Sequence, residues 1–189
     1  TTYFSGIVNE NDLVTVGGYP GELRKVLGIW AEEIDALLPS MSNQIVMNKE
    51  WGGLGGSYKC DLLCDLIHSE GAEVLAQYGS DFYKGMPALT VNSFGEGKAY
   101  YVATSTETGF LQGFLANVCA ENNINPLVTA PEGIESVQRV KNGESFLFLL
   151  NHTEADLSAE IGSAPRTDLL TNKTVSGTAV VPSRGVLIL

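Results

Sequence analysis

Positive charge is scarce in this chain. Eleven lysines and arginines stand against twenty-two aspartates and glutamates over 189 residues, a formal net charge of −11, which repels nucleic-acid phosphates and anionic membrane surfaces. Long apolar runs are missing as well. Nothing approaches the roughly 20 residues that span a bilayer, and no basic start leads into an apolar stretch as in a signal peptide. Neither nucleic acid nor membrane is an expected partner. Cysteine is sparse: Cys60, Cys64 and Cys119 make no even disulfide framework, and a C-x3-C spacing with two distant histidines makes no zinc pattern. The expectation is free thiols in a reducing cytoplasm, with no metal and no cofactor. The sequons at Asn151 and Asn172 matter only on a glycosylating secretory route.

What is present is enough apolar material, 44% of the residues, to bury a core in one medium domain and one small one. The chain starts almost at once in a strand-like Thr2 to Val8 and reads as cut from something larger. Tyr19 to Gly28 has Pro in its first turn, basic residues late and Gly as its stop, a short helix with Leu23, Val26 and Leu27 on one face. Ile29 to Asp35 and Gln44 to Asn48 are extended candidates. Tyr58 to His68 fits either period, and the alternation of Cys60, Leu62, Cys64 and Leu66 favours a strand. Ala72 to Tyr78 follows as a strand. Ala88 to Asn92 and Lys98 to Ala103 pair across the turn Phe94-Gly95-Glu96-Gly97. Phe110, Leu111, Phe114, Leu115, Val118 and Cys119 recur at helical spacing through residues 107–122.

After Asn125-Pro126 the texture changes. Short strands at 134–140, 145–151, 155–161, 167–170, 178–181 and 185–189, parted by turn residues, predict a small antiparallel β domain. Pro131 and Gly133 punctuate the linker before it. Domains are therefore expected at 1–131 and 132–189.

Several groups invite a chemical reading. Gly52-Gly53-Leu54-Gly55-Gly56 lacks the spacing and the Gly-Lys-Ser/Thr ending of a phosphate loop, and the glycines around Glu96-Lys98 serve a hairpin. His68-Ser69-Glu70 has the His-x-Glu pattern of an amidotransferase dyad, but no cysteine sits on a glycine-flanked elbow to be its nucleophile. Glu32, Glu33 and Asp35 cluster, as do Asp61 and Asp65, without any sign that they oppose each other across a sugar. Trp30 and Trp51 suit core packing better than sugar stacking, although a galactoside-binding module is the rival reading.

Tyr3-Phe4-Ser5-Gly6-Ile7-Val8-Asn9-Glu10-Asn11-Asp12, Gly17 to Leu23, Gly28 to Leu37, Gly71 to Ala76, Gly85 to Ala88, Phe94 to Tyr101 and Phe146 to His152 occur in that order. This succession, continued by Asp168 to Leu170 and Gly185 to Leu187, resembles the β-galactosidases of glycoside hydrolase family 42 over essentially the whole chain. The resemblance implies the last part of a three-part layout. A (β/α)8 barrel with the two catalytic glutamates would be missing, so the chain would hold no catalytic residue and no barrel metal. It further implies an incomplete amidotransferase-like (flavodoxin-like) α/β domain that mediates trimer formation, then a small antiparallel β-sandwich-like domain. The expected partners are other copies of the chain, as a homotrimer, with β-galactosides bound by the missing barrel.

Overall fold

Short connections decide the topology of the first part of the chain. The computed structural model describes residues 1–189 and divides into two compact units, Thr1–Asn122 and Asn123–Leu189. The first contains β1 (Ile29–Ala36), β2 (Asn43–Met47), β3 (Ser57–Ser69), β4 (Glu73–Tyr78), β5 (Pro87–Phe94), β6 (Gly97–Val102) and β7 (Thr104–Thr106). It has two helices, α1 (Arg24–Leu27), entered through the 3-10 turn Gly21–Leu23, and α2 (Thr108–Glu121). The sheet runs β1-β3-β2-β4-β5-β6, with β7 paired to β3.

Every ladder in this sheet is antiparallel. The expected flavodoxin-like α/β layer is thereby corrected. A parallel neighbour needs a crossover of about a dozen residues, usually a helix, whereas three residues join β3 to β4 and two join β5 to β6. The one parallel contact is the isolated bridge between Thr2 and Val102. The unit is mostly β, and an amidotransferase-like description does not follow from it.

The core of the unit lies along β3 and β5. Cys64, Asp65, Leu66 and Ile67 are buried in succession, as are Ala88, Leu89 and Thr90, so these stretches are covered on both faces. Helix α2 sends Phe110 and Phe114 into this core, where Phe110 meets Tyr58 edge-on. Leu111 and Leu115, members of the same apolar repeat, stay exposed. Asn117 is buried instead, because its Nδ2 donates to the Trp51 carbonyl at 2.7 Å.

Two glycines are dictated by close approach. Gly28 ends α1 in the left-handed region at φ 62°, with its N–H on the Arg24 carbonyl. A Cβ there would lie 2.8 Å from Asn92 Cγ. That amide donates to the Lys25 and Val26 carbonyls that the helix end leaves open. Gly52, at φ 54°, makes room for Asn117, whose Oδ1 would be 2.0 Å from a Cβ. The glycine-rich loop is thus shaped by packing against α2.

The second unit contains β8 (Ile134–Lys141), β9 (Glu144–Asn151), β10 (Leu157–Thr167), β11 (Thr174–Val181) and β12 (Val186–Ile188). Three strands form one antiparallel sheet, β12-β9-β8, and β10 pairs with β11. Both sheets feed one apolar core that includes Leu147, Leu149, Ala159, Val181 and Leu187. Of the strand expected at 167–170 only Thr167 is in a strand, as the end of β10, and the chain then turns. Asp168 is buried there, and its carboxylate accepts from Thr171 and from the Leu170 and Ile188 N–H groups, which holds the chain in a tight bend. Residues ahead of β8 also pack with this unit, since Val128 lies in its core and Thr129 bridges to Glu160. No helix of the chain is long and apolar enough to cross a membrane.

Candidate functional site

Strand β3 carries a buried carboxyl and two buried thiols, divided by strand alternation between the two faces of the sheet. On one face is Asp65, fully buried. Its Oδ2 accepts from the Tyr101 hydroxyl at 2.5 Å, the Tyr19 hydroxyl and the Phe4 N–H lie beside it, and its Oδ1 has no partner. Burial raises this carboxyl above its ordinary value, and the hydrogen bonds offset only part of that. Tyr101 is pushed up in turn, by burial and by facing the carboxylate.

On the other face are Cys60 and Cys64 with Thr104, Tyr83 and Asp35. Asp35 Oδ2 accepts from the Tyr83 hydroxyl at 2.9 Å. Asp65 pairs with Ile34 and Asp35 with Cys64, so the two carboxylates point to opposite faces. Asp61 is half-buried and ion-paired with Lys59. Glu32, half-exposed, is held by His68 at 2.7 Å. The acidic clusters therefore resolve into separate contacts, and a glycosidase arrangement of two carboxylates flanking one sugar is not assembled from them.

The amidotransferase pattern is taken apart in the same way. His68 bonds Glu32, while Glu70 forms a two-pronged pair with Arg24. Cys64 is buried four strand positions from His68, about 13 Å along β3. The tryptophans are occupied. Trp30 stacks on His68 with 4.8 Å between centroids, and Arg24 lies over its ring at 5.8 Å. Trp51 stacks on Tyr100 at 5.5 Å, meets Phe114 edge-on, and donates its Nε1 to Glu121 at 3.0 Å. Glu121 also accepts from Lys98 and Tyr100, and Lys98 is the main cause that holds it below its ordinary value.

Three open grooves are large enough for a small ligand. One of about 370 Å³ is walled by Leu27, Tyr100, Phe114 and Val118, with the Thr1 end of the chain at its rim. A second, of about 480 Å³, has Glu10 and Glu22 on its walls. Both are exposed and neither is ion-paired. A third, of about 410 Å³, has Glu96 and Glu121, the latter already committed to Lys98, Tyr100 and Trp51. No group of three or more histidine, cysteine, aspartate or glutamate side chains could hold a metal.

Sequence reasoning marked Asp65 only as one of two neighbouring acids. The sharper signal was an aspartate inside the apolar run Leu62-Leu63-Cys64-Asp65-Leu66-Ile67. The sequon asparagine Asn151 proves to be a buried corner residue: its Nδ2 donates to the Ala155, Val181 and Pro182 carbonyls, and its Oδ1 accepts from Thr153. No amide hydrogen is left exposed for a glycan.

Comparison with known proteins adds what the geometry does not. Residues 1–125 match a family model described as the β-galactosidase trimerisation domain, and residues 133–189 one described as the β-galactosidase C-terminal domain. Among curated proteins, the chain is 58% identical over 189 residues to β-galactosidase BgaA of Planococcus sp. (strain 'SOS Orange'). It is 44% identical over 192 residues to β-galactosidase Pbg of Clostridium perfringens. All of this chain is covered in both, and it spans 28% of each relative's length. Among solved structures, it superposes on a β-galactosidase from Bacillus circulans sp. alkalophilus with a TM-score of 0.90 at 60% identity. A cold-adapted β-galactosidase from Rahnella sp. R3 gives a TM-score of 0.80 at 39% identity. Each of these covers the whole of this chain and 28% of the solved one.

Proposed function

Since this chain belongs to the β-galactosidases of glycoside hydrolase family 42, as their trimerisation and C-terminal domains, we propose that it serves assembly and scaffolding, not bond cleavage. In this reading it works within a longer protein that hydrolyses terminal non-reducing β-D-galactosides, in the cytoplasm, as a homotrimer. The catalytic carboxylates and any galactoside contact belong to the remaining length of that protein. The observation that carries the reading is the match of residues 1–125 to a domain described by its assembly role. The carboxylates support it, because each is spent on a structural partner or lies free in solvent, with no pair differentiated as acid and nucleophile.

The test is a hydrolysis assay of the purified chain with a chromogenic β-galactoside, beside a titration with lactose followed by tryptophan fluorescence. The reading expects no turnover above the uncatalysed rate and no saturable response. Turnover would overturn it, and saturable binding would replace it with a galactoside-binding module.

A further inference from the structure

The buried thiols of β3 are brought together by an irregularity in the strand. Cys60 pairs with Thr106 and Cys64 with Thr104, so cysteines four residues apart on β3 face threonines two residues apart on β7. The surplus length is taken up at Leu62, which has a left-handed φ of 66° and a side chain 55% exposed. A leucine in that conformation inside a strand is unusual, and such strain gathers at sites with a role beyond packing. Two positions along a strand span about 6.6 Å and share a face. That puts the cysteine Cα atoms at the upper end of the roughly 4.4 to 6.8 Å that disulfides accept.

The surroundings suit sulfur chemistry. Cys60 is 1% exposed and Cys64 is fully buried, and the Cys64 Sγ lies 3.4 Å from the Thr104 hydroxyl. The neighbouring Cys60 thiol is the chief cause that holds Cys64 below the usual thiol range in spite of burial. Cys60 is pushed the other way, chiefly by its neighbour Cys64 and by burial, with the Asp61 charge adding to it. Both thiols are closed off from solvent, so a peroxide reaches them through local opening of the chain around them.

We propose that Cys60 and Cys64 form a reversible disulfide when the protein meets a hydroperoxide. The Cys64 sulfur attacks the terminal peroxide oxygen and the O–O bond breaks. The departing oxygen takes up a proton and leaves as water or alcohol, with Cys64 a sulfenic acid. The Cys60 sulfur then attacks the Cys64 sulfur, the S–O bond breaks, and the hydroxyl leaves with the Cys60 proton as water. Two thiols are oxidised and one peroxide is reduced. Cys119, half-buried on α2, takes no part. This inference does not depend on the assembly role.

The experiment treats the native chain with hydrogen peroxide, unfolds it in the presence of an alkylating agent, digests it with trypsin and weighs the peptides. The expected result is a peptide beginning at Cys60 that is lighter by two hydrogen atoms and carries no alkyl group, that regains both thiols with dithiothreitol, and a Cys119 that stays fully alkylated. Full alkylation of Cys60 and Cys64 overturns the proposal. So does separate oxidation of the two to sulfinic acids, or a linkage through Cys119. The wild-type chain answers the question without a variant, so the folding of a Cys60→Ser protein is not at stake.

Discussion

At the scale of single residues, the stability of β3 depends on a carboxyl placed out of reach of water. Asp65 has a folded-state pKa raised by burial, so the folded chain binds its proton more tightly than the unfolded chain does. Its contribution to stability is therefore fully present below the unfolded carboxylate value and is lost as pH rises through the raised folded value. Wild type should lose stability relative to Asp65→Asn on going from pH 4 to pH 7, as read from urea midpoints at the two pH values; equal shifts for both proteins would refute this. A second residue-scale prediction concerns Gly28. Its φ of 62° and the 2.8 Å approach of Asn92 mean that Gly28→Ala should cost about 1 to 3 kcal/mol in denaturant unfolding. The helix stop at Gly28 was legible from the sequence, because a glycine after a basic last turn has a local cause. The role of Asp65 was not, because Tyr19 and Tyr101 reach it from elements distant in the chain.

At the scale of elements, local signals served well and pairing did not. The β5–β6 hairpin, the strand at β3 and the helix α2 each followed from spacing within a dozen residues. The direction of the neighbours in the sheet is a long-range matter, and the expected parallel layer gave way to antiparallel ladders once the connections proved too short for crossovers. Helix α2 also shows why periodicity overstates burial. Its apolar repeat includes Phe110, which is fully buried, and Leu115, which is 57% exposed. Phe110→Ala should cost about 3 to 5 kcal/mol by leaving a cavity beside Tyr58. Leu115→Ser should stay within about 0.5 kcal/mol, and paired thermal melts distinguish the two. A large loss at Leu115 would place that face against something the chain itself packs.

At the scale of the whole molecule, two units with separate cores make up the chain, and the second is held by Asn151 and Asp168 as well as by apolar packing. Expressed alone, residues 123–189 should therefore unfold in one cooperative thermal transition, and a featureless melt would show that its core does not suffice. The change of texture after Asn125-Pro126 made two parts legible, but the isolated bridge of Thr129 to Glu160, a contact distant in the chain, was not. The candidate catalytic groups were legible as residue types only, because their partners arise from tertiary contacts: Glu32 with His68, Asp35 with Tyr83, Glu121 with Lys98. The central claim is that this chain assembles and does not cleave. Sedimentation equilibrium over a wide range of loading concentrations tests it most directly. The account predicts a weight-average mass that climbs from 20.2 kDa toward three times that value, and a mass that stays at one copy throughout would contradict it.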